Sequence, residues 1–150
     1  MGQQTSAGGG EGPRGHRVGP HTADCVIEAW GPDRTACLVE AMDALVQLFA
    51  EIDPSAAASR VVPVSAGPGA DAEILVALLE EVICTADVLG SAPVRFHLVE
   101  TEDGGVAGDM EIVDRRDVLL VGPVPKAVSY SGIEMGEEAG AWHCRAVVDV

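Results

Sequence analysis

A chain of 150 residues with 9 Lys plus Arg against 24 Asp plus Glu carries a formal net charge of -15. That excludes an autonomous grip on nucleic-acid phosphates, which needs a clustered basic surface. Hydrophobic residues make up 47% and aromatic residues only 3%, so Val, Leu, Ile and Ala must fill the core of what this length suggests is one compact domain.

The segment from Met1 to Gly19 is rich in Gly, Gln and Ser, too poor in apolar side chains to offset chain entropy, and is predicted to be a disordered tail ahead of a domain over residues 20–150. It also lacks the apolar run of a signal peptide, and no uncharged stretch approaches the roughly 18 to 20 apolar residues of a membrane span. These features point to a cytoplasmic protein.

From Thr22 to Trp30, acidic and apolar side chains alternate, as in a strand with one buried face; Asp24 then points away from the face that Ile27 buries. Asp33 is placed to cap a helix predicted over Arg34 to Ile52, because Leu38, Ala41, Met42, Leu45, Leu48, Phe49 and Ile52 recur every three or four residues. Arg60 to Ala66 reads as a short strand, held to a sheet edge by Pro63, which has no N–H for the ladder. A second helix is predicted from Asp71 to Val88, with an apolar stripe from Ile74 to Ile83, Glu80 and Glu81 facing out, and Gly90 as its stop.

The remainder reads as strand: Val94 to Glu100, Val106 to Val113 after the Asp103-Gly104-Gly105 turn, Val118 to Val121, Lys126 to Met135, and Ala141 to Val150. Two helices packed on one side of a mostly antiparallel sheet follow, an α+β two-layer sandwich. Cys25, Cys37, Cys84 and Cys144 form no C-x-x-C pair and stand among apolar residues, which suggests buried, reduced thiols rather than zinc or a disulfide framework.

The last strand, AWHCRAVVDV, puts Trp142, Cys144, Ala146, Val148 and Val150 on one face and His143, Arg145, Val147 and Asp149 on the other. The Asp149 carboxylate lies next to the main-chain carboxylate of Val150. Two oxygen donors so close together suit a hard divalent cation such as calcium, magnesium or manganese.

HTAD at His21 to Asp24, Ile27-Glu28-Ala29, Leu48-Phe49, Leu78-Leu79, KAVSYSGIEM at Lys126 to Met135, and the ending Val148-Asp149-Val150 together resemble the archease family, in order over residues 20–150. The resemblance implies a small α+β protein that assists an RtcB-type RNA ligase in tRNA splicing or RNA repair. The helper promotes ligase guanylylation and multiple turnover without joining RNA itself. It also implies that Asp24, Asp149 and the Val150 carboxylate form a metal site and that Lys126 contacts the partner or a nucleotide. Ser131 stands where the family often has histidine.

The partner implied is the ligase, with no direct nucleic-acid binding and no membrane. Alternatives are a stand-alone metal-dependent phosphoesterase and a chaperone-like binding module. A Cys25-His21 dyad is disfavoured, since Cys25 shares the face of Ile27. His97 is expected on a sheet surface, Asp53 and Asp87 near helix ends, and Glu100 to Asp103 at a hairpin tip.

Overall fold

The computed structural model describes residues 13–18 and 24–150. The elements run β1 (Gly15–Val18), β2 (Asp24–Gly31), α1 (Arg34–Gln47), β3 (Ala50–Ile52), β4 (Ala58–Ala66), α2 (Asp71–Leu89), β5 (Pro93–Glu100), β6 (Val106–Val113), β7 (Val118–Leu120), β8 (Ala127–Val128), β9 (Glu134–Glu138) and β10 (Ala141–Asp149). Among the described residues every ladder is antiparallel, and the strands form three sheets. One is β1-β2-β10 with β8 and β9 both on the far side of β10, one is β3-β7, and one is β4-β6-β5. This is the α+β class expected from the sequence. Among the described residues no helix is long and apolar enough to cross a membrane.

Helix α1 starts where the Asp33 carboxylate accepts a hydrogen bond from the Ala36 N–H at 2.8 Å, satisfying one of the orphan donors of the first turn. It packs against β2 of the first sheet and β5 of the third, so Leu38, Met42 and Leu45 are wholly buried. Burying each such side chain contributes about 1.5 to 3 kcal/mol. The close seating of α1 on β2 depends on Gly31, where a Cβ would come within 2.9 Å of both the Ala36 Cβ and the Cys37 nitrogen. Helix α2 ends on Gly90 in the left-handed conformation, with φ of 64°, as the sequence predicts. Its Glu80 and Glu81 face solvent.

The structure corrects four expectations. Gly15–Val18, read as part of a disordered tail, is the edge strand β1, paired with Ile27 to Trp30; residues 1–12 and 19 lie outside the described set, as do His21, Thr22 and Ala23. Helix α1 stops at Gln47 rather than Ile52, because Ala50–Ile52 gives its backbone groups to a ladder with Val118–Leu120, and Pro54 disfavours helical backbone at Asp53. The strand predicted over Lys126 to Met135 is two strands on one side of β10. Residues 129–133 stand opposite Ala146 and Val147 as a wide bulge, in which the Ser131 N–H donates to Ser129 Oγ at 3.2 Å. Cys84 is exposed on α2, whereas Cys25, Cys37 and Cys144 are buried. Pro63 does lie on an edge strand, since among the described residues β4 pairs only with β6.

Candidate functional site

Strands β2 and β10 are the middle of the five-stranded sheet, and alternation gives each a buried and an outward face. Cys25, Ile27 and Ala29 of β2 turn inward with Cys144, Ala146 and Val148 of β10, which fixes the register, since a one-residue slip would bring charged side chains into the core. That register places Asp24 directly opposite Asp149 on the outer face, joining residues at the two ends of the domain.

The two carboxyl groups share a side-chain hydrogen bond. This bond, then desolvation and charge repulsion from Asp149, raises the Asp24 pKa above the ordinary carboxylate range. The register thus sets two exposed carboxyl groups side by side at one end of the sheet's outer face. Next to them, the Lys126 N–H donates to the Asp149 carbonyl at 2.8 Å, so the start of β8 is tied to the pair. The Val150 side chain packs against the core, which anchors the residue after Asp149.

Among the described residues no three His, Cys, Asp or Glu side chains converge to hold a metal ion. Asp24 and Asp149 supply two hard oxygen donors already drawn together, a donor set that suits calcium, magnesium or manganese. The third expected donor is a main-chain carboxylate, that of Val150. Lys126 is exposed and lines a cavity of about 410 Å³ with Glu80, Cys84 and Asp87 of α2.

The other candidates have separate tasks. His97 sits on a sheet surface with Nε2 2.7 Å from Glu111. Asp53 accepts from the Ser55 N–H at 2.9 Å and so closes its own turn, away from the carboxylate pair. Asp103 closes the hairpin tip by accepting from the Gly105 N–H at 3.0 Å. The buried Cys37 thiol is pushed well above its usual pKa by its contact with Cys144 and by burial, which makes it inert.

Sequence reasoning missed the charged cluster on β1. His16 Nδ1 lies 2.8 Å from Glu40 and Nε2 lies 3.1 Å from Gln47, while Arg14 pairs with the second Glu40 oxygen. The hydrogen bond to Glu40 raises the His16 pKa. For Glu40, burial alone would raise the pKa, but the bonds from His16 and Arg14 outweigh it and lower it. Asp43, on the same helix, is lifted to about 6 by burial and by Glu40. The only local signal was the apolar Val18 after Gly-His-Arg, too short to stand out beside a Gly-rich run.

With this geometry in place, the comparisons with known proteins are specific. The sequence model described as the archease protein family (MTH1598/TM1083) matches residues 16–150. A protein named probable protein archease, from two strains of Mycobacterium tuberculosis, is 38% identical over 137 residues, covering 91% of this chain and 75% of that protein. Among solved structures, the solution structure of Methanobacterium thermoautotrophicum protein 1598 superposes with a TM-score of 0.67 at 21% identity, over 91% of this chain and 99% of that one. The crystal structure of an archease described as a possible chaperone, from Thermotoga maritima, has a TM-score of 0.64 at 16% identity, over 87% of this chain and 93% of that one.

Proposed function

The chain belongs to the archease family, and from that premise we propose that it is a metal-binding, non-enzymatic activator of an RtcB-type RNA ligase in the cytoplasm, promoting guanylylation and multiple turnover during tRNA splicing or RNA repair. The observation that carries this reading is the cross-strand pairing of Asp24 with Asp149. Asp24, Asp149 and the Val150 main-chain carboxylate would hold a calcium, magnesium or manganese ion. When bound, that ion supplies charge neutralisation and a Lewis-acid centre. Lys126, held next to the pair through its own N–H, contacts the partner or a nucleotide phosphate. The net charge of -15 supports docking on a protein that itself holds RNA rather than on RNA directly.

The test is a multiple-turnover RNA-joining assay with purified ligase, GTP and divalent metal. The wild-type chain is expected to raise turnover, and Asp149→Asn to abolish the gain. Appending residues after Val150 converts its carboxylate to an amide, so a C-terminal tag should impair activation while an N-terminal tag does not. The description of the Thermotoga maritima protein as a possible chaperone favours a second reading, a general binding module. That reading requires several unrelated partners and indifference to Asp149→Asn.

A further inference from the structure

The outer face of the five-stranded sheet is ordered in cross-strand rungs. At one end Asp24 faces Asp149. Val26 then faces Val147, and Glu28 faces Arg145 between Arg17 and Glu134. At the far end Trp30 faces His143 between Gly15 and Gly136. The last two rungs enclose a groove of about 380 Å³, whose rim also carries Glu137 and Glu138.

The charges in this groove are unevenly satisfied. Arg17 pairs with Glu28 at 3.3 Å, and Arg145 donates to the Gly132 carbonyl at 3.0 Å. Glu134, Glu137 and Glu138 are exposed, and none has an ion-pair partner among the described residues. The Arg17 guanidinium lies 5.2 Å from the centre of the Trp30 ring, so the indole already serves as a cation platform. At the floor, a Cβ on Gly136 would meet nothing within 4 Å; the glycine keeps the groove open without any backbone demand for it.

We propose that this groove docks a lysine- or arginine-bearing segment of the partner protein, its cationic side chains between the Glu134 and Glu138 carboxylates and Trp30. The surplus of carboxylates selects a basic protein segment and repels a phosphate backbone. From Trp30 to Asp24 the strand spans roughly 20 Å at about 3.4 Å per residue, so a docked segment running along the face reaches the carboxylate pair. The assignment rests on the reading that the partner is an RtcB-type ligase.

The experiment is calorimetric titration of the full chain into that ligase at two salt concentrations, with joining turnover measured in parallel. The variants are the double Glu134→Gln/Glu138→Gln, Gly136→Gln and Asp149→Asn. All alter outward-facing positions, and melting curves verify that each is folded. The double variant is expected to raise Kd about tenfold or more and to flatten its salt dependence, and Gly136→Gln to weaken binding about fivefold by filling the floor. Asp149→Asn should bind but fail to stimulate. Wild-type affinity in both groove variants overturns the docking site while leaving the activator reading intact. Loss of binding in the groove variants with normal stimulation by Asp149→Asn upholds the groove and overturns the metal reading. No binding or stimulation by the wild-type chain overturns both.

Discussion

Around Arg34, acidic side chains converge on a guanidinium whose side chain is only 13% exposed. Asp71 lies at 2.9 Å and Glu100 at 2.6 Å, and the Gly104 carbonyl accepts a further bond at 2.9 Å. At Asp24, by contrast, a carboxyl group meets the carboxyl group of Asp149. The first cluster supplies its own cation and ties the start of α1 to the start of α2 and to the β5–β6 hairpin. The second brings like groups together on an outward face. Acidic residues therefore do opposite work in the two places: in one they close the fold around a guanidinium, and in the other they set two carboxyl groups against each other on an exposed face, the arrangement on which the proposed cation site rests.

Removing the cation from the closed cluster should have the largest effect. Arg34→Ala strands two carboxylates and a carbonyl, and is expected to destabilise the fold by about 2 kcal/mol, lowering Tm by roughly 4 to 8 °C. Cation binding at Asp24 and Asp149 should be unchanged in the folded variant. A thermal melt with and without metal checks both parts, and an equal loss of metal binding would break the distinction.

Asp43 sharpens the comparison as an intermediate case, a carboxylate lifted mainly by burial. Its folded pKa of about 6 lies above the ordinary 3.8, so the folded state holds the proton more tightly than the unfolded chain does. Stability from this group is therefore full below about pH 4 and is lost as pH rises toward about 6. Asp43→Asn, which stays neutral, should match the wild type near pH 4 and exceed it by about 1 kcal/mol above pH 6, a value already reduced for partial solvent screening. Denaturant melts across this range measure the difference.

The parts of the molecule legible in the sequence are those with one dominant local signal. The three-to-four-residue spacing through Leu38, Met42 and Leu45 with the Asp33 cap marked α1, and Pro63 marked an edge strand. Alternation alone put Asp24 on the face away from Ile27 and Asp149 on the face away from Val148. Their meeting depends on the pairing of β2 with β10, a long-range register; the family resemblance pointed to it, whereas composition did not. The end of α1 was misread because Leu48, Phe49 and Ile52 continue the helical spacing, while a ladder with Val118–Leu120 decides their backbone. Strand β1 was missed because its stabilising bonds come from Glu40 and Gln47 on α1, which a local window does not see. The outer-face groove requires two ladders in register before Trp30, His143 and Gly136 become neighbours.

The most direct measurement is a calorimetric titration of calcium or manganese into the metal-stripped chain at pH 7, beside Asp24→Asn and Asp149→Asn. One cation per chain is expected to bind the wild-type protein, with affinity lost by at least about tenfold in either variant. A wild-type chain that takes up no cation, or variants that bind as tightly as the wild type, would contradict the assignment of Asp24 and Asp149 as a metal site.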